Sequence, residues 1–305
     1  MSGLLLSMQG AVSQGVLWGI MVLGVYITYK ILNIADLTVD GSFALGGCVG
    51  ATLIAGFGWD PVLAIVAASL AGVVAGAITG FLHTIFEIPA ILAGILTQIA
   101  LWSINLRIMG GKSNIPLLNS KTIFTGLIDM TGFLQAQIGL FVGILIAALV
   151  IAVLYWFFGT EKGAALRATG NNEDMVRALG INTNRTKMLG LMLSNGLVAL
   201  SGALVCQSQK YADINMGTGA IVIGLASIVI GGVLMGRLLS FGSKLASAVI
   251  GAIVYFLIRA IVLRMGMDAN DMKLLSAIIV ALALWLPVAS KKWATKKAYT
   301  QGGDS

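Results

Sequence analysis

Histidine, proline and charge are all scarce in this chain of 305 residues: it has one histidine (His83), four prolines, and Asp, Glu, Lys and Arg together make up only 10% of it. A lone histidine leaves no histidine-rich metal cage, and no Ser/His/Asp constellation is recognisable, so neither a metal centre nor a hydrolytic triad is expected. The two cysteines, Cys48 and Cys206, lie in or beside apolar runs. They read as small buried hydrophobes, neither a disulfide framework nor metal ligands. No Gly-x-x-x-x-Gly-Lys-Ser/Thr phosphate loop occurs anywhere, so P-loop ATP hydrolysis is not a property of this chain. The first residues, MSGLLLSMQGAVSQG, lack a basic region and a small-residue cleavage site, and no removable signal peptide is expected.

What the chain has instead is apolar length. Hydrophobic residues make up 58% and the mean hydropathy is +0.97, far outside the range of a soluble domain. A bilayer core of ~30 Å needs about 20 apolar residues per helix. Runs of that kind recur at 11–31, 42–57, 61–82, 90–109, 134–158, 188–207, 218–236, 245–263 and 273–290. The expected fold is therefore all-α and polytopic, with about nine transmembrane helices and a range of eight to ten. Open sheets are excluded because lipid cannot satisfy their edges, and the runs are too uniformly apolar for barrel strands. Residues 1–290 read as one transmembrane domain and 291–305 as a basic tail. The 39 glycines suit helices packed through small faces such as AGVVAGAITG at 71–80.

The net charge of +7 does not imply nucleic acid, because the basic residues occupy a few connections and form no surface interleaved with aromatics. They set topology and meet lipid headgroups instead. The longest basic connection, 159–187, carries Lys162, Arg167, Arg177, Arg185 and Lys187 and is expected in the cytoplasm. Four spans on, the tail with Lys291, Lys292, Lys296 and Lys297 returns to the same side, and the turn at 237–244 carries Arg237 and Lys244. Counting backward places 110–133 outside, and both 83–89 and the segment after Lys30 inside.

Two stretches stand out against this background. NIADLTVDGS, 33–42, sets Asp36 and Asp40 among strongly apolar neighbours. Acids at such a position default to functional candidates; alternatively Asp36 pairs with Lys30 and the pair of acids caps a helix starting at 41. ADLTVDGSFALG from 35 also echoes ADINMGTGAIVI from 212, matching Asp36 to Asp213 and Thr38 to Asn215, with the two copies entering from opposite sides. That is the pattern of an inverted repeat. The second stretch is EKGAALRATGNNEDMVRALGIN, which predicts a helix, a break at 170–172 and a short helix 173–179. Asn172 serves as its N-cap, Glu173 and Asp174 lie in its first turn, and Gly180 ends it in the left-handed conformation. With Met175, Val176 and Leu179 on one side, it reads as a docking peg or as an amphipathic helix on headgroups.

ALRATGNNEDMVRALGINTNRTKMLGLMLSNGLVALSGAL, 165–204, resembles the cytoplasmic loop and following span of the branched-chain amino-acid and monosaccharide permeases of ATP-binding-cassette importers. LNIADLTVDGSFALGG, 32–47, is similar to the early segment of a subgroup associated with amino-acid uptake, including tryptophan and tyrosine systems, and SIVIGGVLMGR, 227–237, resembles the family's late Gly-Gly segment. The resemblance implies a permease homodimer in a bacterial inner membrane, two ATP-binding-cassette ATPase subunits holding ATP and Mg, and an extracytoplasmic substrate-binding protein. It makes Glu173, Asp174, Met175, Val176, Arg177, Ala178, Leu179 and Gly180 the ATPase-coupling segment. The chain itself would be no enzyme and would carry no cofactor.

Polar residues within spans are candidates for the translocation path: Asn33, Asp36, Thr38, Asp40, Ser42, Gln98, Asn105, Ser194 and Asn195, with Ser103 and Ser227 beside them. Each of the neutral ones also fits a helix-to-helix hydrogen bond. Arg107 either snorkels or attracts a substrate carboxylate at the outer mouth. Arg259, Arg264, Asp268, Asp271 and Lys273, with Lys112 and Lys210, make a mixed-charge outer surface suited to a binding protein or simply to water. The competing readings are an ion-gradient transporter using Asp36 and Asp40, and a scaffold that carries nothing.

Overall fold

The computed structural model describes residues 2–118, 120–132, 135–235 and 240–266, together with 271, 274, 276–282 and 285. Arg237, Asp268, Lys273, the tail 291–305 and half of the ninth expected span lie outside the described residues.

Among the described residues seven helices are long and apolar enough to cross a membrane, with one shorter apolar helix beside them. In order they are α1 (Ser2–Tyr26), α2 (Thr38–Ala51), α3 (Pro61–Thr84) and α4 (Ala90–Ile108), then the short α5 (Ile123–Thr131), α6 (Gln135–Gly159), α7 (Glu161–Asn171) and α8 (Glu173–Ala178), and finally α9 (Thr183–Gln209), α10 (Ala220–Leu234) and α11 (Phe241–Arg264). Helices α1 and α2 each end in a π-helical turn, Ile27–Ile31 and Thr52–Gly56. The expectation of a purely helical chain needs one amendment. A ribbon of two three-residue strands, β1 (Asn114–Pro116) and β2 (Tyr211–Asp213), pairs antiparallel with Ile115 opposite Ala212. Strand β1 and α5 lie in the connection 110–133, and the strands left no trace in the sequence because each exists only through a partner about a hundred residues away.

Local signals set the helix ends. Asp60 accepts hydrogen bonds from the Val62 and Leu63 amides at 2.9 and 3.4 Å, with Pro61 at the first helical position of α3. Asn33, at φ +55°, ends the first helix in the left-handed conformation, and the Ile34 amide reaches back to the Thr28 carbonyl.

Helix α9 is the hub, packed against α1, α2 and α3. Gly72 and Gly76 of the small-residue run lie so close to the Asn195 and Leu191 carbonyls of α9 that a Cβ on either would collide with backbone. The run therefore packs within the chain. The opposite stripe of α3, Val62, Val66, Leu70, Val74 and Ile78, is exposed at four-residue spacing, as suits a lipid-facing surface.

The connections sort into two ends. The α3–α4 turn meets the start of α9 where the Asn184 side chain donates to the Thr84 carbonyl at 3.2 Å, and Gly170 of α7 abuts the Ile31 carbonyl. Phe241, opening α11, packs on Phe158 with ring centroids 5.0 Å apart and under the Arg167 guanidinium. The ribbon gathers the 110–122 and 210–216 segments at the other end.

Candidate functional site

The break between α1 and α2 is buried inside the bundle. The Asp36 carboxylate accepts from the Thr38 amide through Oδ1 at 2.9 Å and from the Asn195 amide group through Oδ2 at 2.8 Å. Asn195 Oδ1 in turn accepts from the Ser42 hydroxyl at 2.7 Å, and the Thr38 and Thr79 hydroxyls share a 2.8 Å bond. Asp36, Thr38, Ser42 and Asn195 are all at most 2% exposed. Asn195 stands twelve residues beyond Thr183 in α9, about 18 Å along the helix. Thr79 lies five residues before the end of α3, about 8 Å in. The break therefore sits one to three helical turns inside the bundle. Asp36 holds the first amide of α2, which starts at Thr38 rather than 41 with Leu37 at its N-cap, and among the described residues it forms no ion pair with Lys30, whose ammonium lies over the Tyr29 ring. Ser194 donates to the Gly24 carbonyl of α1 at 2.8 Å and Ser227 to the Ile223 carbonyl of its own helix at 2.7 Å. Asn33 is exposed.

Asp40, one turn further on, faces a different setting. Its carboxylate spans two amides at the start of α10, accepting from Gly219 through Oδ2 and from Ile221 through Oδ1, each at 2.9 Å. Gly217 rests against the Asp40 carbonyl with no room for a Cβ, which locks this approach. Beside the junction lies a cavity of about 260 Å³, lined by Asp40, Gln98, Trp102, Asn105, Asn215 and Thr218 among others, Ser103 included. It is a small-solute volume, just below the ~300–1,000 Å³ of drug-sized sites. Asn105 is 1% exposed, its Nδ2 turned to the Gly41 carbonyl at a long 3.5 Å, and its Oδ1 has no partner. Four sequence candidates, Asp40, Gln98, Ser103 and Asn105, thus share one cavity, while Asp36, Thr38, Ser42 and Asn195 form a separate closed network. Trp102 and Thr218 were missed by sequence reading; Asn215 carried a signal, as the echo partner of Thr38. The echo is also local geometry, since Asp213 Oδ1 accepts from the Asn215 amide at 2.8 Å as Asp36 does from Thr38.

At the end that carries 159–187, α8 is capped by Asn172, whose Oδ1 accepts from the Met175 amide at 3.0 Å, and is closed by Gly180 at φ +82°. Met175 and Leu179 are exposed at 50% and 71%, whereas Val176 is fully buried. The three expected to share one side are thus divided: a six-residue helix needs an apolar anchor, and Val176 provides it. Glu173 ties α8 to α9, pairing with Arg177 at 2.9 Å and Lys187 at 2.5 Å and accepting from the Thr183 hydroxyl at 3.1 Å. Partial burial pushes the Glu173 carboxyl up, but Lys187, Thr183 and Arg177 together outweigh it and hold it below the usual range. His83, Glu87 and Asn184 join these residues around an open recess of about 670 Å³. Arg107 is exposed in the last turn of α4, and Glu87 sits in the α3–α4 turn at φ +55°.

The chain is similar to known proteins. A tyrosine transport system permease protein of Clostridioides difficile (strain R20291) is 40% identical over 90% of this chain and 90% of its own length. The ribose import permease protein RbsC of Escherichia coli (strain K12) is 25% identical over 82% of this chain and 75% of its own. A solved structure, PsaBC from Streptococcus pneumoniae in complex with Fab, covers 83% of this chain and 90% of its own at 17% identity and a TM-score of 0.38. The family model described as branched-chain amino acid transport system / permease component matches residues 7–284, and the chain belongs to that family.

Proposed function

We propose that this chain, as one of a pair of copies in a bacterial cytoplasmic membrane, forms the path by which an ATP-driven importer takes up an amino acid, with L-tyrosine as the leading substrate. As a permease component it is no enzyme and holds no cofactor; ATP and Mg belong to separate ATPase subunits, and an external binding protein delivers the solute. The tyrosine assignment rests on the 40% identical relative, and the amino-acid class on the family.

The observation that carries the mechanism is α8. Its exposed Met175 and Leu179 offer an apolar peg at the basic end of the molecule, the end assigned to the cytoplasm by its charge. The Glu173–Lys187 tether makes α8 move with α9, the helix whose Asn195 holds the break at Asp36. Approach of the two ATPase subunits then shifts α8, and α9 passes the shift to the middle of the bundle, changing which side of the path is open. Residues 1–290 act as one permease domain, 291–305 as its basic cytoplasmic tail, and the Asp36 and Asp213 turns relate its halves as an inverted repeat. Lipid covers the exposed apolar stripe of α3, and nucleic acid is no partner. The deciding experiment is co-purification of the ATPase with Leu179→Asp: loss of the ATPase supports the peg, and full retention removes it.

A further inference from the structure

Resting on that reading, we infer that the cavity between α2, α4 and the 214–218 segment is an amino-acid subsite in which Asp40 and Asn105 receive the α-ammonium group. Two acceptors at this cavity are short of donors. A carboxylate offers about four lone-pair positions, and the α10 amides of Gly219 and Ile221 take two of those on Asp40. Among the described residues no Lys or Arg pairs with Asp40, so its charge faces the cavity answered only by backbone amides and the helix end.

Asn105 adds a second acceptor. Its Nδ2 faces the Gly41 carbonyl, which keeps Oδ1 as the free atom, and that atom is buried without a partner. An unpaired buried acceptor is costly, and a ligand donor recovers that cost. The terminal torsion of Asn is soft, so a small rotation brings Oδ1 to a ligand beside Asp40, the neighbour of Gly41. A carboxylate and an amide oxygen on residues of one cavity select a compact cation with several N–H donors, and a primary ammonium supplies three. Exposed Ile99 and Trp102 at the cavity edge offer an apolar wall for the rest of the solute. The Gly219 and Ile221 amides fix the carboxylate from behind and Gly217 packs on the Asp40 main-chain carbonyl, so the carboxylate is preorganised rather than gathered by the ligand.

The test uses the full permease–ATPase complex in nanodiscs, without binding protein, and saturation-transfer NMR, which reads weak binding. The probes are L-tyrosine, tyramine (ammonium kept, carboxylate removed) and 3-(4-hydroxyphenyl)propionate (ammonium removed). L-tyrosine and tyramine should receive saturation and the propionate should not. Asn105→Leu should weaken the L-tyrosine signal at least tenfold, and Asn105→Asp, which keeps oxygen acceptors, should stay within about threefold of the wild type. Both variants are first checked for a monodisperse complex that retains its ATPase. Equal saturation of the propionate, or an unchanged signal in Asn105→Leu, overturns the subsite. So does the absence of any L-tyrosine signal from a complex that imports L-tyrosine with ATP, since the functional reading then stands and the subsite alone fails. A complex that imports no amino acid overturns both.

Discussion

Asp40 on α2 and Gly219 at the start of α10 are 179 residues apart in sequence and joined by a 2.9 Å hydrogen bond, with the same carboxylate also holding the Ile221 amide. A carboxylate from one helix thereby caps another that begins within the bundle and takes up amides that its first turn leaves free. Asp40→Ala should therefore lower the stability of the purified protein by about 1–2 kcal/mol, and Asp40→Asn, which keeps one acceptor, by less. Thermal unfolding in detergent, followed by loss of monodisperse protein, measures both.

The Asp36 network makes a separate demand. Asn195→Leu leaves Asp36 Oδ2 and the Ser42 hydroxyl without partners at fully buried positions. The expected cost is about 1–3 kcal/mol, and Asp36→Asn should cost less, because an amide oxygen still receives the Asn195 donor. The same unfolding assay ranks the two, and a more stable Asn195→Leu would show that the network is not holding the break.

Glu173 has three partners, not one. A charge swap with Arg177 therefore sets an arginine against Lys187 and should not restore the tether. Both the swap and Glu173→Gln should lower solute imported per ATP hydrolysed in proteoliposomes, by at least threefold for the swap. A carboxyl held below its usual pKa contributes its stabilisation above the unfolded value of about 4.3 and loses it as pH falls through the folded value. From about pH 5.5 to about pH 7.5 the ratio between wild type and Glu173→Gln should accordingly stay constant. Gly180→Pro should uncouple as well, since φ +82° is closed to proline and the Gly180 amide bonds the Arg177 carbonyl.

Val176 and Leu179 separate anchor from peg. Leu179→Asp should leave α8 folded and cost at least tenfold in ATPase affinity, whereas Val176→Asp buries a charge and should expose the 159–187 loop to protease. Limited proteolysis beside ATPase pull-down distinguishes the two; equal proteolysis of both variants would show that Leu179 is structural too.

The span pattern and the 159–187 loop were legible in the sequence because their determinants are local: uniform apolar runs for the helices, and Asn172 and Gly180 within eight residues of each other for α8. The break at 33–42 was legible as a break but not in depth, since its depth depends on Thr79 and Asn195 arriving from distant helices. An Asp36–Lys30 pair was a reasonable expectation from sequence proximity, and burial beside Asn195 replaced it. The cavity was half legible: intramembrane polarity picked out Asp40, Gln98, Ser103 and Asn105, but Trp102 looked like any apolar residue and Thr218 like the first residue of the 218–236 span.

The central claim is an ATP-powered permease for an amino acid. Its most direct test is uptake of radiolabelled L-tyrosine into proteoliposomes holding the permease, its ATPase and its binding protein, with ATP enclosed on the ATPase side and ionophores collapsing all ion gradients. Accumulation that requires hydrolysable ATP and survives the ionophores is the predicted result. Uptake that proceeds without ATP and vanishes when the gradients collapse would contradict it.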